Sequence, residues 1–146
     1  MIQGWFEDGQ PTILARVLIP RLMVNTYTTF LVDTGSDSTG IHPDPAIFVD
    51  LSYTQLENPF IITGATGNSR RFTEPATIAI ASADGASVYH YDVDIWIATP
   101  QDAPAGLPCI LGQDILKDLR MTHDPTDDIL TFQVRRADRT IALSGH

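Results

Sequence analysis

Apolar and polar residues alternate with a period of two through much of this chain. Ile13, Ala15, Val17 and Ile19 fall on one side of such a pattern, and Leu14, Arg16 and Leu18 on the other. The run stops at Pro20, which has no amide proton to give a sheet, so a strand is predicted over 13–19. Tyr27 to Val32, rich in threonine and aromatic residues, predicts a second strand that runs straight into Asp33-Thr34-Gly35. Thr77 to Ala81 predicts a third, with Ala83-Asp84-Gly85-Ala86 as its turn. The clearest strand is the next one. There Tyr89, Tyr91, Val93, Ile95 and Ile97 alternate with His90, Asp92, Asp94 and Trp96. Ile129 to Val134 predicts a closing strand, after a turn at Asp124-Pro125-Thr126-Asp127-Asp128.

Two short helices are expected among these strands. Asp44-Pro45 reads as an N-cap followed by proline at the first helical position, opening a turn or two through Val49. Gly112 to Arg120 carries Ile115, Leu116 and Leu119 on one face, with Lys117 and Arg120 towards its C-terminus. Pro100 to Pro108 reads as a surface loop. No internal repeat or linker divides the sequence, so a single all-β domain over 1–146 with a short C-terminal helix is the economical reading, its core spanning about 12–134.

Composition narrows the partners. Hydrophobic residues make up 43% and charged residues 18%, a globular rather than a disordered balance. A net charge of −9 repels phosphate backbones and anionic lipid, so neither nucleic acid nor membrane is an expected partner. The pairs Arg70-Arg71 and Arg135-Arg136 read as solvated strand ends. No apolar run approaches the ~20 residues of a membrane span, and the N-terminus lacks the basic stretch and apolar core of a signal peptide. Cys109 is the single cysteine, which rules out an intrachain disulfide and favours a reducing, cytoplasmic setting.

Three segments carry candidate chemistry. Phe30-Leu31-Val32-Asp33-Thr34-Gly35-Ser36 sets a carboxylate just after an apolar strand, in a turn, where partial desolvation can move its pKa. Taken alone, the tripeptide also fits an ordinary turn. Phe60-Ile61-Ile62-Thr63-Gly64-Ala65-Thr66-Gly67-Asn68 predicts a hairpin tip with two glycines. Cys109-Ile110-Leu111-Gly112-Gln113-Asp114-Ile115-Leu116 predicts a short apolar strand, a glycine and a helix.

In that order, from roughly Thr12 to Val134, these segments resemble the retropepsin family, the retroviral-type aspartic proteases and their cellular and bacterial relatives. The resemblance implies a closed acid-protease barrel and a peptide or protein substrate. Asp33 would be the catalytic carboxylate and Thr34 would brace the two active-site loops across a dimer. Gly35 would let the substrate backbone lie close. Gly64, Ala65, Thr66 and Gly67 would form the tip of a flap that closes over bound peptide, preceded by Ile62. Ser36, Asp37 and Leu111 would lie along the substrate, with Leu111 and Gly112 passing behind the aspartate loop. No cofactor or metal is implied.

The chemistry of amide hydrolysis fits that assignment. Without a metal or a nucleophilic side chain, it needs a base for the attacking water and an acid for the leaving nitrogen. Two carboxylates a few Å apart cannot both ionise, so they share a proton and supply both roles. This chain offers one Asp-Thr-Gly, and a twofold homodimer would bring Asp33 opposite its own copy. The rival reading is a non-catalytic dimerisation or peptide-binding module of the same fold, holding extended peptide by strand addition. A third is a protease domain belonging to a larger polypeptide.

Two departures from the retroviral pattern matter. Gln113 stands where many members have the arginine that pairs with the aspartate matching Asp37, so that ion pair is absent. Ser36 stands where many have alanine, and its hydroxyl is expected to donate to Asp33 and favour the ionised form. The stretch from Gly40 to Asn58 is also long for the smallest members. His42, His90, His123 and His146 show no ligand-type spacing, and Asp124, Asp127 and Asp128 lack the glycine and glutamate of a calcium loop. The segment Gly64 to Gly67 lacks the lysine of a phosphate loop, Ser36 has no evident histidine partner, and Cys109 is expected to be buried and inert.

Overall fold

In the computed structural model, which describes residues 1–43, 55–64, 67–104 and 106–143, the alternating segments are strands. The order is β1 (Ile2–Gln3), β2 (Trp5–Glu7), β3 (Gln10–Ile19), β4 (Val24–Val32), β5 (Gly40–Ile41), β6 (Pro59–Gly64), β7 (Gly67–Ala81) and β8 (Ser87–Ile97). Then come β9 (Cys109–Leu111), α1 (Gln113–Leu116), β10 (Leu119–Asp124), β11 (Ile129–Val134) and β12 (Arg139–Ala142). The fold is all-β with one short helix.

Strand β3 buries Ile13, Ala15, Val17 and Ile19 and leaves Leu14 exposed, as its alternation requires. A single turn of 3-10 helix at Pro20–Leu22 reverses the chain into β4, helped by Met23 in the left-handed region. Strand β4 pairs with β3 on one side and, in parallel, with β9 on the other. Strand β9 meets β5, β5 lies parallel to β8, β8 pairs with β7, and β7 returns to β3. The pairings therefore run in a circuit, with β6, β12 and β2 lying off it. Phe30, Ile41, Ile78, Ile95 and Leu111 fill the interior, none more than 1% exposed. At an average of about 2 kcal/mol per fully buried side chain of this size, that core is the main source of stability. A second sheet, β1-β11-β10, carries Ile2, Leu130 and Phe132 into the same cluster.

The structure corrects the sequence reading in several places. The helix predicted from Gly112 to Arg120 is confined to Gln113–Leu116. The Asp118 amide closes on the Ile115 carbonyl, and Leu119 opens β10 by pairing with Val134. Strand β7 begins at Gly67, ten residues ahead of the predicted Thr77. Both terminal segments pair within their own chain: Ile2 sits opposite Phe132, and Thr140 and Ile141 opposite Tyr89 and Val88. The helix predicted from Asp44 lies outside the described residues. Among the described residues, no helix is long and apolar enough to cross a membrane.

Candidate active site

The parallel pairing of β4 with β9 determines where Asp33 stands. Val32 lies opposite Leu111, so the Asp33 amide donates to the Leu111 carbonyl at 3.1 Å as the chain leaves the sheet. The next residues turn back on the aspartate. Ser36 N donates to the Asp33 carbonyl at 3.1 Å, and Gly35 N to Oδ1 of the carboxylate at 3.0 Å. Such a side-chain-to-backbone turn fixes the carboxylate's direction without help from any other element. Asp33 is half-buried, while Thr34 and Gly35 are exposed beside it.

Helix α1 and the glycine before it hold this loop from behind. Gln113 N donates to the Ser36 carbonyl at 2.8 Å and Asp114 N to the Asp37 carbonyl at 3.1 Å. Gly112 is extended, so its requirement is space rather than conformation. A Cβ there would come within 2.5 Å of the Ser38 backbone. Beneath the loop lies Thr39, fully buried. Its hydroxyl donates to Asp114 Oδ1 at 2.6 Å and accepts the Gly112 amide at 3.1 Å, and its own amide donates to Asp114 Oδ2 at 2.9 Å. Gln113 adds a bond from Nε2 to the Thr34 carbonyl at 3.0 Å. Where an arginine would have reached for Asp37, the amide thus braces the aspartate loop's own backbone.

Strands β6 and β7 form an arm. They pair from Pro59 opposite Phe72 out to Gly64 opposite Gly67, where Gly67 takes a φ of +113° that favours glycine. Phe60, Ile61 and Ile62 are 38%, 60% and 38% exposed, so both faces of β6 present apolar side chains to solvent. The base of the arm is tied to the turn after β3. Arg21 donates through two nitrogens to the Glu74 carboxylate, each at 2.7 Å, and to the Gln55 carbonyl at 2.8 Å. Glu74 is 1% exposed, and this bidentate bond compensates its burial.

No family model matches the chain, and no curated protein matches it. Among solved structures, it is similar to the crystal structure of a retropepsin-like aspartic protease from Rickettsia conorii, at 16% identity and a TM-score of 0.58. The match covers 98% of this chain and 92% of that one. The fold is retropepsin-like.

Within this retropepsin-like fold, Asp33, Thr34, Gly35, Ser36 and Asp37 form one loop, with Gly112 and α1 packed behind it. Two expectations are corrected. Leu111 is fully buried, so it supports the loop through its carbonyl and presents no side chain to a substrate. The Ser36 hydroxyl donates to the Ser38 carbonyl at 2.9 Å, which spends its proton away from Asp33. Gly64, Gly67 and Ile62 belong to the arm, and Ala65 and Thr66 lie outside the described residues. Thr39, Asp114, Arg21 and Glu74 were not singled out by sequence reasoning. Each acts through a partner 53 or more residues away, a separation that leaves no local pattern to read.

His42 is structural. Nδ1 lies 2.6 Å from the Pro108 carbonyl and the ring meets Trp96 edge-on. Burial, and more weakly the Arg71 charge, lower its pKa against the opposing bond to Pro108. Among the described residues, no group of three or more His, Cys, Asp or Glu side chains could hold a metal ion.

Proposed function

We propose that this protein is an aspartic endopeptidase that works as a homodimer, with Asp33 and its twofold copy sharing one proton. The observation that carries the proposal is the aspartate loop itself. A half-buried carboxylate, oriented by its own turn and braced from behind by Gly112 and Gln113, stands where the retropepsin-like fold leaves an exposed loop. In the pair, the ionised carboxylate takes a proton from water as the oxygen bonds to the scissile carbonyl carbon. The protonated carboxyl hydrogen-bonds the developing oxyanion. The C–N bond then breaks as the nitrogen takes a proton, and the dyad returns to its singly protonated state. The arm would close over extended peptide, with Phe60 to Ile62 supplying apolar contact.

The test is digestion of a peptide library at several pH values by the parent and by Asp33→Asn, repeated across a dilution series. The parent should cleave, and its specific activity should fall as sedimentation shows the dimer dissociating. Asp33→Asn should keep the parent's circular dichroism spectrum and cleave nothing. Cleavage at parent rates by Asp33→Asn, or full activity in a 16 kDa monomer, would falsify the proposal.

A further inference from the structure

Residues 67–72 of β7 pair with β6, and β7 meets β8 from Phe72 and β3 from Thr77, so 67–71 pair with β6 alone among the described residues. The outer arm is therefore a two-stranded ribbon, a structure of marginal stability on its own. Among the described residues its β7 limb meets the body at the 99–103 turn and, through the Arg71 guanidinium 5.4 Å over the Trp96 ring, at β8. Ser69 Oγ donates to the Asp102 carbonyl at 3.0 Å, and Arg70 donates through Nε and a terminal nitrogen to Asp102 Oδ2 at 3.2 and 3.1 Å. The receiving turn is firmly rooted. Thr99 is 5% exposed and accepts the amides of Asp102 and Ala103 at 3.0 and 3.1 Å, and its hydroxyl donates to Asp102 Oδ2 at 2.6 Å. The Arg70 guanidinium also lies 4.9 Å over the Phe72 ring, which steers its fork towards the turn.

We propose that Asp102 is a positioning residue, a latch on the 99–103 turn that fixes the arm through Ser69 and Arg70 and so sets how readily it captures peptide. This rests on the endopeptidase reading for its functional half and on geometry for the rest. The Thr99 hydroxyl first, and then Arg70, hold the carboxyl below the usual carboxylate range against the opposing effect of burial, so the latch stays charged at neutral pH. Exposed ion pairs are often worth little. Here one mostly buried carboxylate takes three donors while its backbone takes a fourth, and the outer ribbon, which among the described residues has no further sheet partner, leans on them together with the Arg71–Trp96 contact. An arm freed from the latch must be ordered each time it closes, which weakens substrate capture more than the chemical step.

The test uses the full chain with Arg70→Gln, Arg70→Lys and Asp102→Asn, read by amide hydrogen exchange and by steady-state peptide cleavage. Arg70→Gln leaves the 99–103 turn intact and so decides the matter even where Asp102→Asn disturbs it. Exchange at 60–63 and 68–71 should quicken while amides of β3 and β8 hold their rates. KM should rise about threefold to tenfold with kcat little changed, and Arg70→Lys should recover much of the loss. Parent-like exchange in Arg70→Gln overturns the latch, as does quickening spread equally over β3 and β8, or a loss confined to kcat. If the parent cleaves no peptide, the endopeptidase reading falls, and exchange alone judges the latch.

Discussion

Replacing Thr39 by valine keeps the side chain's shape and removes one hydroxyl from the most enclosed polar contact behind the aspartate loop. That hydroxyl serves two groups at once, the Gly112 amide and Asp114 Oδ1. Stranding a buried amide costs about 1–3 kcal/mol. Asp114 is only half-buried and can recover a water, so its share is nearer 1 kcal/mol. Together the loss should be about 2–4 kcal/mol, or a fall in Tm of about 6–12 °C for a chain of this size. Urea and thermal unfolding at one fixed protein concentration would measure it, because a dimer's apparent stability moves with concentration. Thr39→Ser is the control, since it keeps the hydroxyl and loses only a methyl group. Cleavage should drop in Thr39→Val beyond the unfolded fraction, because Gly112 and Asp114 position the loop that carries Asp33. A stability loss under about 1 kcal/mol would show that the hydroxyl is not the brace described.

Three further outcomes follow from named contacts. Ser36→Ala should leave the acidic limb of the activity–pH profile where it was and cost only about 0.5–1.5 kcal/mol, because the hydroxyl bonds Ser38 and not Asp33; a displaced limb would restore the bond to the dyad. Gly112→Ala should abolish cleavage and lower Tm, since its Cβ meets Ser38 backbone at 2.5 Å, and a stable, active variant would disprove that contact. Asp92, held down to about 2 from an ordinary 3.8 by Arg139 and then Thr77, pins β12 to β8. Because its folded pKa is depressed, that support is complete above about pH 4 and fades as pH falls towards 2. Protection of the Arg139–Ala142 amides, taken relative to their intrinsic exchange rates at each pH, should fall over that interval. Asp92→Asn should have lost much of that protection already at pH 4 and change less than the parent below it, Asp138 at the same join still titrating.

What could be read from the sequence divides along a physical line. Strands whose alternation reports one buried face, such as 13–19 and 89–97, were legible because the pattern is the cause of the fold. The helix overran because Ile115, Leu116 and Leu119 satisfy a helical spacing. The pairing of Leu119 with Val134, a tertiary contact, decides otherwise. The first half of β7 was hidden by Gly67 and Pro75, residues that ordinarily argue against a strand. The turn at Asp33-Thr34-Gly35 was legible because aspartate before glycine favours one, whereas Gly112 was marked only by the family resemblance, and its close approach to Ser38 arises with the fold. Thr39, Asp114 and Asp102 were not, since a buried threonine and two ordinary aspartates acquire meaning only from partners brought near by folding.

The position of β6 at the end of its sheet has a practical consequence for handling the protein. Among the described residues, Phe60-Ile61-Ile62 combines a backbone edge with no partner beyond β7, apolar side chains on both faces and no charge, which is the composition of a strand that recruits copies of itself into aggregates. The arginines at 70 and 71, opposite Ile61 and Phe60, act as gatekeepers on the neighbouring limb. The net charge of −9 keeps separate molecules apart at neutral pH. Acid removes that repulsion as the carboxylates protonate, while leaving the apolar edge unchanged. Concentrated stocks are therefore best held near neutrality and taken to acid only at the moment of assay.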